Sequence, residues 1–425
     1  MRNARHHSIW RRRLENILIV IITMTPLVVT IRYRWADLVL PLGTVVLLPL
    51  LIVSSEIRRA VIDSWNLRQR GAGALFGAAT VAWIALSTFW TPDPTRAAIS
   101  VVKAAGILFA ALALDTVLKT ISHARIFLPL VWFTTVAIFV AASTVLSGGY
   151  IHHLFGCCRN GMQPNITGAA VTMALFIWPC SAWLFLVGRS LYALIILFFA
   201  FILIIISGSG AAMLAFAAGL TTIGAGIFLP RVVVILPLVL LLIGFLLAPM
   251  LGELNLILQS PLISSALASF HAAERVQIWS FYADLFWHRP WIGFGFAAEK
   301  LLDSQAFPAV LPPEARLHPH NAPLQILFEF GIVGAVLLFS TLVCVVQGFY
   351  RSIGKQTTFA IAPLVAILTA ALVNFGLWES WWLSVASLVL ILTSQLLHAS
   401  YQSRAKGERM PYRASLGRPH GTASL

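Results

Sequence analysis

Long apolar runs recur along almost the whole chain, and they restrict the fold more than any other feature. Most are roughly 17–25 residues long, which is enough for an α-helix to cross the hydrocarbon layer of a bilayer. Because lipid offers backbone groups no hydrogen-bond partner, such runs can only fold as helices bonded within themselves. The pattern predicts about twelve spans, at 17–31, 37–55, 73–90, 98–117, 126–147, 166–187, 191–207, 211–229, 232–250, 323–349, 358–376 and 380–398.

Composition supports a membrane protein and excludes a soluble globular one. The chain is 59% hydrophobic and 10% charged, whereas soluble domains carry about 25% charged residues. The net charge is +14, but the basic residues lie in short stretches between apolar runs and not on one soluble face. This placement predicts contact with anionic lipid headgroups and no nucleic-acid partner.

The distribution of basic residues also predicts the topology. Most of the 29 lysine and arginine residues fall on one side of the membrane if both termini are cytoplasmic. The predicted segments are a basic cytoplasmic leader (1–16), spans one to nine (17–250), a large periplasmic loop (251–322), spans ten to twelve (323–398) and a basic cytoplasmic tail (399–425).

The predicted periplasmic loop is too rich in structural patterns to be filler. Residues 262–287 show helical periodicity with several aromatic residues, and residues 289–295 form a Pro/Gly-rich turn. Long ordered loops in compact proteins are usually functional. We therefore expect this loop to be helical and to carry part of the site.

A polar stripe marks the point where the loop enters the next span. If a helix begins near Asn321, then Asn321, Gln325 and Glu329 lie four residues apart and share one face. Such a stripe is costly in lipid, so it should face protein or a wet cavity. His320 stands at its rim, where an imidazole can act as a base near neutral pH. Interhelical hydrogen bonding alone would equally explain Gln325 and Glu329.

The same segment resembles a known family. His320–Asn321, followed after nine residues by Gly331-x-x-Gly334, is similar to the signature of bacterial O-antigen ligases and O-antigen polymerases. The two glycines would let a neighbouring backbone approach closely.

Three further segments carry the resemblance. Arg275-x-x-x-Trp279, followed by a Pro-x-x-Gly-x-Gly turn at 290–295, is similar to the family's loop motif. Gln163–Asn165 precedes a span as in the family, and Trp90–Pro94 weakly resembles a stretch after an early span. The resemblance covers about residues 75–395 and is specific within 270–335.

One position departs from the family pattern. Members often carry an arginine at the start of a middle span, where this chain has Gly210. If that arginine helps to hold a pyrophosphate, its role is either vacant in this chain or filled by another cation. The candidates on the same predicted side are Arg159, Arg289, Arg96 and Lys103.

The resemblance implies a membrane glycosyltransferase of all-α, GT-C-like architecture in the bacterial inner membrane. Such an enzyme moves a glycan from undecaprenyl pyrophosphate to an acceptor sugar in the periplasm, during lipopolysaccharide or exopolysaccharide biosynthesis. The acceptor is lipid A core for a ligase and another lipid-linked repeat for a polymerase. The motifs are shared, so sequence alone does not separate the two.

The chemistry of this reaction assigns roles to the candidate residues. An arginine suits a pyrophosphate leaving group, and we assign that role to Arg275. We assign the base to His320, and direct attack on the anomeric carbon would invert its configuration. No Asp-x-Asp motif is present, so we expect neither a metal nor a cofactor. The expected substrate-binding residues are Asn321, Gln325, Glu329, Arg289, Arg159, Asn165 and Trp279.

The competing hypothesis is a flippase or transporter of the same lipid-linked oligosaccharide. Transporters commonly have pseudo-symmetric halves with broken helices near the midplane. Here the halves look unequal and the polar signature lies on one outer loop. This asymmetry favours an enzyme.

Overall fold

The fold is known from a computed structural model, which describes residues 2–64, 71–149, 166–253, 272–301, 318–351, 355–374 and 376–405. Within these ranges the chain forms α-helices and short 3-10 turns and no β-strand. The predicted all-α, polytopic fold class is therefore confirmed. The predicted residues Arg159 and Asn165 lie outside the described ranges.

Fifteen α-helices make up the described chain. They are α1 (Arg2–Thr23), α2 (Thr25–Ile31), α3 (Ala36–Val53), α4 (Ser55–Ser64), α5 (Gly71–Leu86), α6 (Pro94–Leu118), α7 (His123–Leu146), α8 (Ile166–Leu186), α9 (Ser190–Ile206), α10 (Gly210–Phe228), α11 (Pro230–Leu247), α12 (Ala272–His288), α13 (Ala322–Arg351), α14 (Lys355–Val373) and α15 (Ser380–Ala405).

The predicted spans correspond to helices. Among the described residues, 9 helices are long and apolar enough to cross a membrane. The first predicted span is a bent pair, Ile9–Thr23 and Thr25–Ile31, with 45° between its halves. The two remaining predicted spans are shorter apolar helices, Ser190–Ile206 and Thr358–Val373.

Helix α8 is the centre of the bundle. In its most apolar stretch of 18 residues, 89% of the residues are buried. Four helices, α7, α9, α10 and α14, pack around it. The outer helices instead leave large apolar side chains exposed, such as Phe198 on α9 and Val102 on α6. These outward faces have the apolar character that a lipid environment requires.

A second core joins the loop to α13. It contains buried aromatic side chains of α12, of the turn after it and of α13. The ring of Tyr282 lies 5.0 Å from that of Phe328 in an edge-to-face arrangement, and the rings of Phe296 and Phe330 stack at 5.9 Å. Aromatic pairs of this geometry add to the stabilisation from burial. The loop is therefore packed onto the bundle as part of its structure.

Ion pairs gather at the end of the bundle opposite to this second core. The buried carboxylate of Glu15 accepts bonds from Arg11 at 2.9 Å and from Arg125 at 2.7 Å, which ties α1 to α7. At the same end, Gln395 of α15 donates to the Asp115 side chain of α6 at 3.1 Å. Because α15 begins at Ser380, its first residues lie at the other end, beside the polar segment of α13. The topology prediction places that other end in the periplasm.

Candidate active site

Helix α13 is broken at Gly331, which has φ 65° and ψ −168°. This backbone conformation interrupts the helical hydrogen-bond ladder. In an unbroken helix, the amides of Ile332 and Val333 would donate to the carbonyls of Phe328 and Glu329. The break frees all four groups in apolar surroundings, where each unsatisfied group is costly.

The turn after α12 replaces both lost hydrogen bonds. The amides of Ile332 and Val333 donate to the carbonyls of Pro290 at 2.8 Å and Trp291 at 3.2 Å. The carbonyls of Phe328 and Glu329 accept from the amides of Phe294 and Gly295, each at 2.8 Å. The turn and the broken helix thus satisfy each other's backbone hydrogen-bond groups, as two paired β-strands would.

Two glycines make this pairing possible. A Cβ at Gly331 would lie 2.3 Å from the Trp291 carbonyl oxygen, and a Cβ at Gly293 would lie 2.4 Å from that of Glu329. Both residues also have left-handed φ angles, 65° and 68°, which favour glycine. The close backbone approach predicted at Gly331 is confirmed. Gly334 instead faces side chains, those of Phe330 and Trp83.

Residues after α5 hold the same turn from the other side. The Ser87 hydroxyl accepts from the Phe296 amide at 3.1 Å, and the Thr91 hydroxyl donates to the Phe296 carbonyl at 3.1 Å. The Trp83 indole donates to the Phe330 carbonyl at 3.1 Å, at the break in α13. This packing explains why the Trp90–Pro94 stretch belongs to the pattern.

A buried hydrogen-bond network uses the polar stripe of α13. Gln325 donates to Glu329 at 2.9 Å, and the Trp378 indole donates to the other carboxylate oxygen of Glu329 at 2.6 Å. The Gln325 carbonyl oxygen accepts from the Leu377 amide at 2.9 Å. Gln325 and Glu329 are buried, so the stripe faces protein and fixes the segment between α14 and α15.

The segment Val373–Glu379, here called the α14–α15 connector, also binds the two residues predicted to carry the chemistry. One Nη of Arg275 donates to the Val373 carbonyl at 2.6 Å. His320 Nδ1 lies 2.6 Å from the Asn374 carbonyl oxygen. Since consecutive carbonyls accept these bonds, Arg275 of α12 and His320 before α13 converge on one point of the connector.

His320 is held in a strained and specific conformation. Its φ is 52°, a left-handed value that is uncommon for a residue with a side chain. Its amide donates to His318 Nδ1 at 3.3 Å, and the two rings are 4.0 Å apart. Because a carbonyl only accepts, Nδ1 of His320 carries the proton, and Nε2 has the lone pair that a base requires.

The surroundings of His320 keep this imidazole neutral. The pKa of His320 is lowered to about 4: burial is the largest cause, the bond to the Asn374 carbonyl partly offsets it, and the nearby charge of Arg275 adds to the lowering. Neutral imidazole is the form that accepts a proton, so the site is ready for base chemistry at neutral pH.

The acid limb of activity should reflect this depressed pKa. If His320 is the base of the reaction, kcat/KM should fall only as the pH approaches about 4, well below the ordinary histidine value of about 6.5, since protonation of the free enzyme would remove that base. A pH–rate profile of the purified protein tests this. An acid limb near 6.5 would contradict the buried, neutral His320.

The other predicted residues differ in their positions. Asn321 precedes α13 and caps it, because its Oδ1 accepts from the Leu324 amide at 3.0 Å. Arg289 is in the turn, with its guanidinium 5.1 Å from the centre of the Phe294 ring. Trp279 lies on α12, one turn after Arg275.

Two of the four cations proposed to replace the arginine absent at Gly210, Arg96 and Lys103, lie on α6. Arg96 and Lys103 line an open groove of about 410 Å³ together with Asp93, Thr95, Ile99 and Ser100. Gly210 itself begins α10, which packs along α14. Because Gly226 near the end of α10 meets Thr358 near the start of α14, the two helices are antiparallel. Gly210 is therefore at the same end of the bundle as Val373 and Asn374.

Sequence reasoning missed the connector. It interrupts two apolar runs with Asn374, Gly376, Trp378 and Glu379, and this mixture of polar, small and aromatic residues at a predicted outer end was the available signal. Its importance comes from backbone carbonyls and amides, which no side-chain motif reveals.

Comparison with known proteins gives the relationship. The O-antigen ligase family profile matches residues 193–339. This range contains the broken helix, the turn that pairs with it, Arg275 and His320. The match supports the resemblance to the O-antigen ligase family.

Relatives of the family match over most of the chain. Proteins provisionally named polysaccharide ligases from Rickettsia typhi and Rickettsia prowazekii are both 25% identical to this chain. They match 75% and 74% of the chain and 79% and 78% of their own lengths. A similarly named protein of Rickettsia felis is 30% identical over 30% of the chain and 32% of its own length.

Similarity to the O-antigen ligase family and to proteins named as polysaccharide ligases supports an enzyme of glycan transfer, with lipid-linked glycans and acceptors as its general substrates. The family profile ends before the connector. Asn374 and Trp378 therefore enter the site from structure alone.

Proposed function

We propose that this protein is an O-antigen ligase, which transfers a glycan from undecaprenyl pyrophosphate to an acceptor sugar on lipid A core. The observation that carries the proposal is the convergence of Arg275 and His320 on the carbonyls of Val373 and Asn374, both at 2.6 Å. An anion-binding group and a neutral base are thereby fixed side by side. The names of the family and its relatives favour ligation over polymerisation.

Arg275 would bind the pyrophosphate of the donor. A guanidinium has five N–H donors in a planar fork, so it can bond a carbonyl and still engage a phosphate in the bidentate manner. The bond to Val373 fixes where the fork points. The charge that develops on the leaving group would be stabilised there. Arg289 and, outside the described residues, Arg159 are the further substrate-binding cations that we propose.

His320 would accept the proton of the acceptor hydroxyl at Nε2. The oxygen then attacks the anomeric carbon of the donor sugar, the bond from that carbon to the pyrophosphate oxygen breaks, and undecaprenyl pyrophosphate leaves. One displacement of this kind inverts the anomeric configuration. Asn165 and Trp279 would bind the sugars in this arrangement.

The polar residues of the stripe would act by positioning His320 and the connector. Asn321 caps α13 directly after His320, and Gln325 and Glu329 hold the connector that bonds His320 Nδ1. We assign these residues to the support of the substrate-binding surface. Their hydrogen bonds set the geometry of the base, as supporting residues do in preorganised sites.

The proposed setting is the bacterial inner membrane, with both termini cytoplasmic and the site on the periplasmic side. The ion-paired end of the bundle would face the cytoplasm, in line with the distribution of basic residues. The undecaprenyl chain would lie among the exposed apolar faces of the outer helices, with its pyrophosphate at the level of Arg275.

The reaction should not depend on a divalent metal, because Arg275 would supply the positive charge and His320 the base that the transfer requires. We expect transfer rates to stay within about twofold after treatment with EDTA and in buffers with added Mg²⁺. A rate that collapses with EDTA and recovers with Mg²⁺ would contradict this part of the proposal.

A reconstituted assay tests the proposed function. Purified protein would receive undecaprenyl-linked glycans and lipid A core from the producing bacterium, and the products would be resolved on a gel. A single shift of lipid A core supports ligation, whereas a ladder of longer lipid-linked glycans means polymerisation. Movement of the donor across liposome membranes without any new product would favour the flippase hypothesis.

A further inference from the structure

A buried amide beside His320 has no hydrogen-bond partner among the described residues. It is Nδ2 of Asn374, a residue that is only 5% exposed. An unsatisfied buried donor costs about 1–3 kcal/mol, and such groups are few in native proteins. Among the described buried groups without a partner, this one is singled out by its position beside His320 and Arg275.

The amide lies at the centre of the site. The backbone carbonyl of Asn374 accepts the bond from His320 Nδ1 at 2.6 Å, and the carbonyl of the preceding residue, Val373, accepts from Arg275 at 2.6 Å. Arg275 and His320 therefore bond backbone carbonyls directly beside the side chain of Asn374.

A second buried donor without a partner among the described residues lies on α12, the helix that carries Arg275. The indole nitrogen of Trp279 is also inaccessible and without a hydrogen-bond partner. It is on α12, one helical turn beyond Arg275. Two unsatisfied donors on the two elements that meet at the site indicate a ligand with hydrogen-bond acceptors, and sugar hydroxyl oxygens supply these.

We propose that Asn374 is an acceptor-binding residue, whose Nδ2 donates a hydrogen bond to an oxygen of the acceptor sugar. The inference rests on the proposed function, since it takes His320 as the base for the acceptor hydroxyl. Asn374 would then fix both partners of the proton transfer, the imidazole through its backbone and the sugar through its side chain.

Gln325 provides a matched comparison for a structural amide. It is as buried as Asn374, but its side chain is bonded at both ends, to Glu329 and to the Leu377 amide, each at 2.9 Å. Removal of a satisfied buried amide leaves its partners unsatisfied and lowers stability. Removal of an unsatisfied one does not.

The experiment compares Asn374→Ala, Asn374→Asp and Gln325→Ala with the wild-type protein. Both Asn374 variants keep the backbone carbonyl that holds His320, and the aspartate variant also keeps the side-chain shape. We expect the KM for lipid A core to rise about three- to tenfold in both, as one lost hydrogen bond predicts. The KM for the undecaprenyl-linked donor should stay unchanged. The Tm of Asn374→Ala should equal or exceed that of wild type, whereas Gln325→Ala should lower it.

Each other outcome would overturn the inference. An unchanged acceptor KM, or a Tm loss in Asn374→Ala as large as that in Gln325→Ala, would make Asn374 a structural residue. A rise confined to the donor KM would place the amide on the donor. If wild type transfers nothing, the proposed function fails and the inference with it, whereas an active wild type matched by its Asn374 variants defeats the inference alone.

Discussion

Replacement of His320 by alanine is expected to lower kcat/KM for glycan transfer by about 10²–10⁴-fold, the usual contribution of a positioned general base. The imidazole is neutral, and its Nδ1 bonds the Asn374 carbonyl. The backbone of His320 has a left-handed φ of 52°, which fixes the direction of the side chain. Alanine removes the lone pair at Nε2 and leaves the bundle core unchanged. Steady-state kinetics with undecaprenyl-linked donor and lipid A core would measure the loss.

His288→Ala is the matched control for that substitution. His288 ends α12 on the same loop, is exposed, and its Nδ1 lies 3.0 Å from the Asp284 carbonyl oxygen of its own helix. Its variant should transfer glycan at the wild-type rate. Full activity in His320→Ala, or an equal loss in both variants, would remove His320 from the mechanism.

Gly331→Ala should have the largest effect on stability. A Cβ there would lie 2.3 Å from the Trp291 carbonyl oxygen, and the φ of 65° disfavours any side chain. The turn would have to separate from α13, which breaks four backbone hydrogen bonds in buried surroundings. We expect a loss of about 3 kcal/mol or more in the free energy of unfolding, together with a loss of transfer activity.

Gly348→Ala tests whether this effect belongs to the break in α13. Gly348 lies in the same helix, and a Cβ there would meet nothing within 4 Å. Alanine favours helix over glycine by about 1 kcal/mol, so this variant should be at least as stable as wild type. Thermal unfolding in detergent compares the two, and similar Tm values for both variants would contradict the pairing of turn and helix.

The fold could be predicted from sequence because lipid removes the alternatives. Apolar runs long enough to span a bilayer must be helical, and each predicted run coincides with a helix or a bent pair. The start of α13 differs by one residue from the prediction, which placed Asn321 within the helix on the face of Gln325 and Glu329. Asn321 caps the helix instead, since α13 begins at Ala322.

The site was predicted only where side chains carry the pattern. Arg275 and His320 belong to the motifs that carry the resemblance, and their roles were assigned from it. The connector from Val373 to Glu379 acts through two backbone carbonyls and one amide, so its sequence gives little sign of its role. The backbone exchange between 290–295 and 328–333 likewise depends on tertiary pairing, which spacing along the chain does not reveal.

A hydroxyl activated at His320 should attack the anomeric carbon directly. The anomeric configuration of the new glycosidic bond would be determined by NMR on the product of purified protein and compared with the sugar–pyrophosphate bond of the donor. We expect inversion. Retention of configuration would contradict a single displacement at this site.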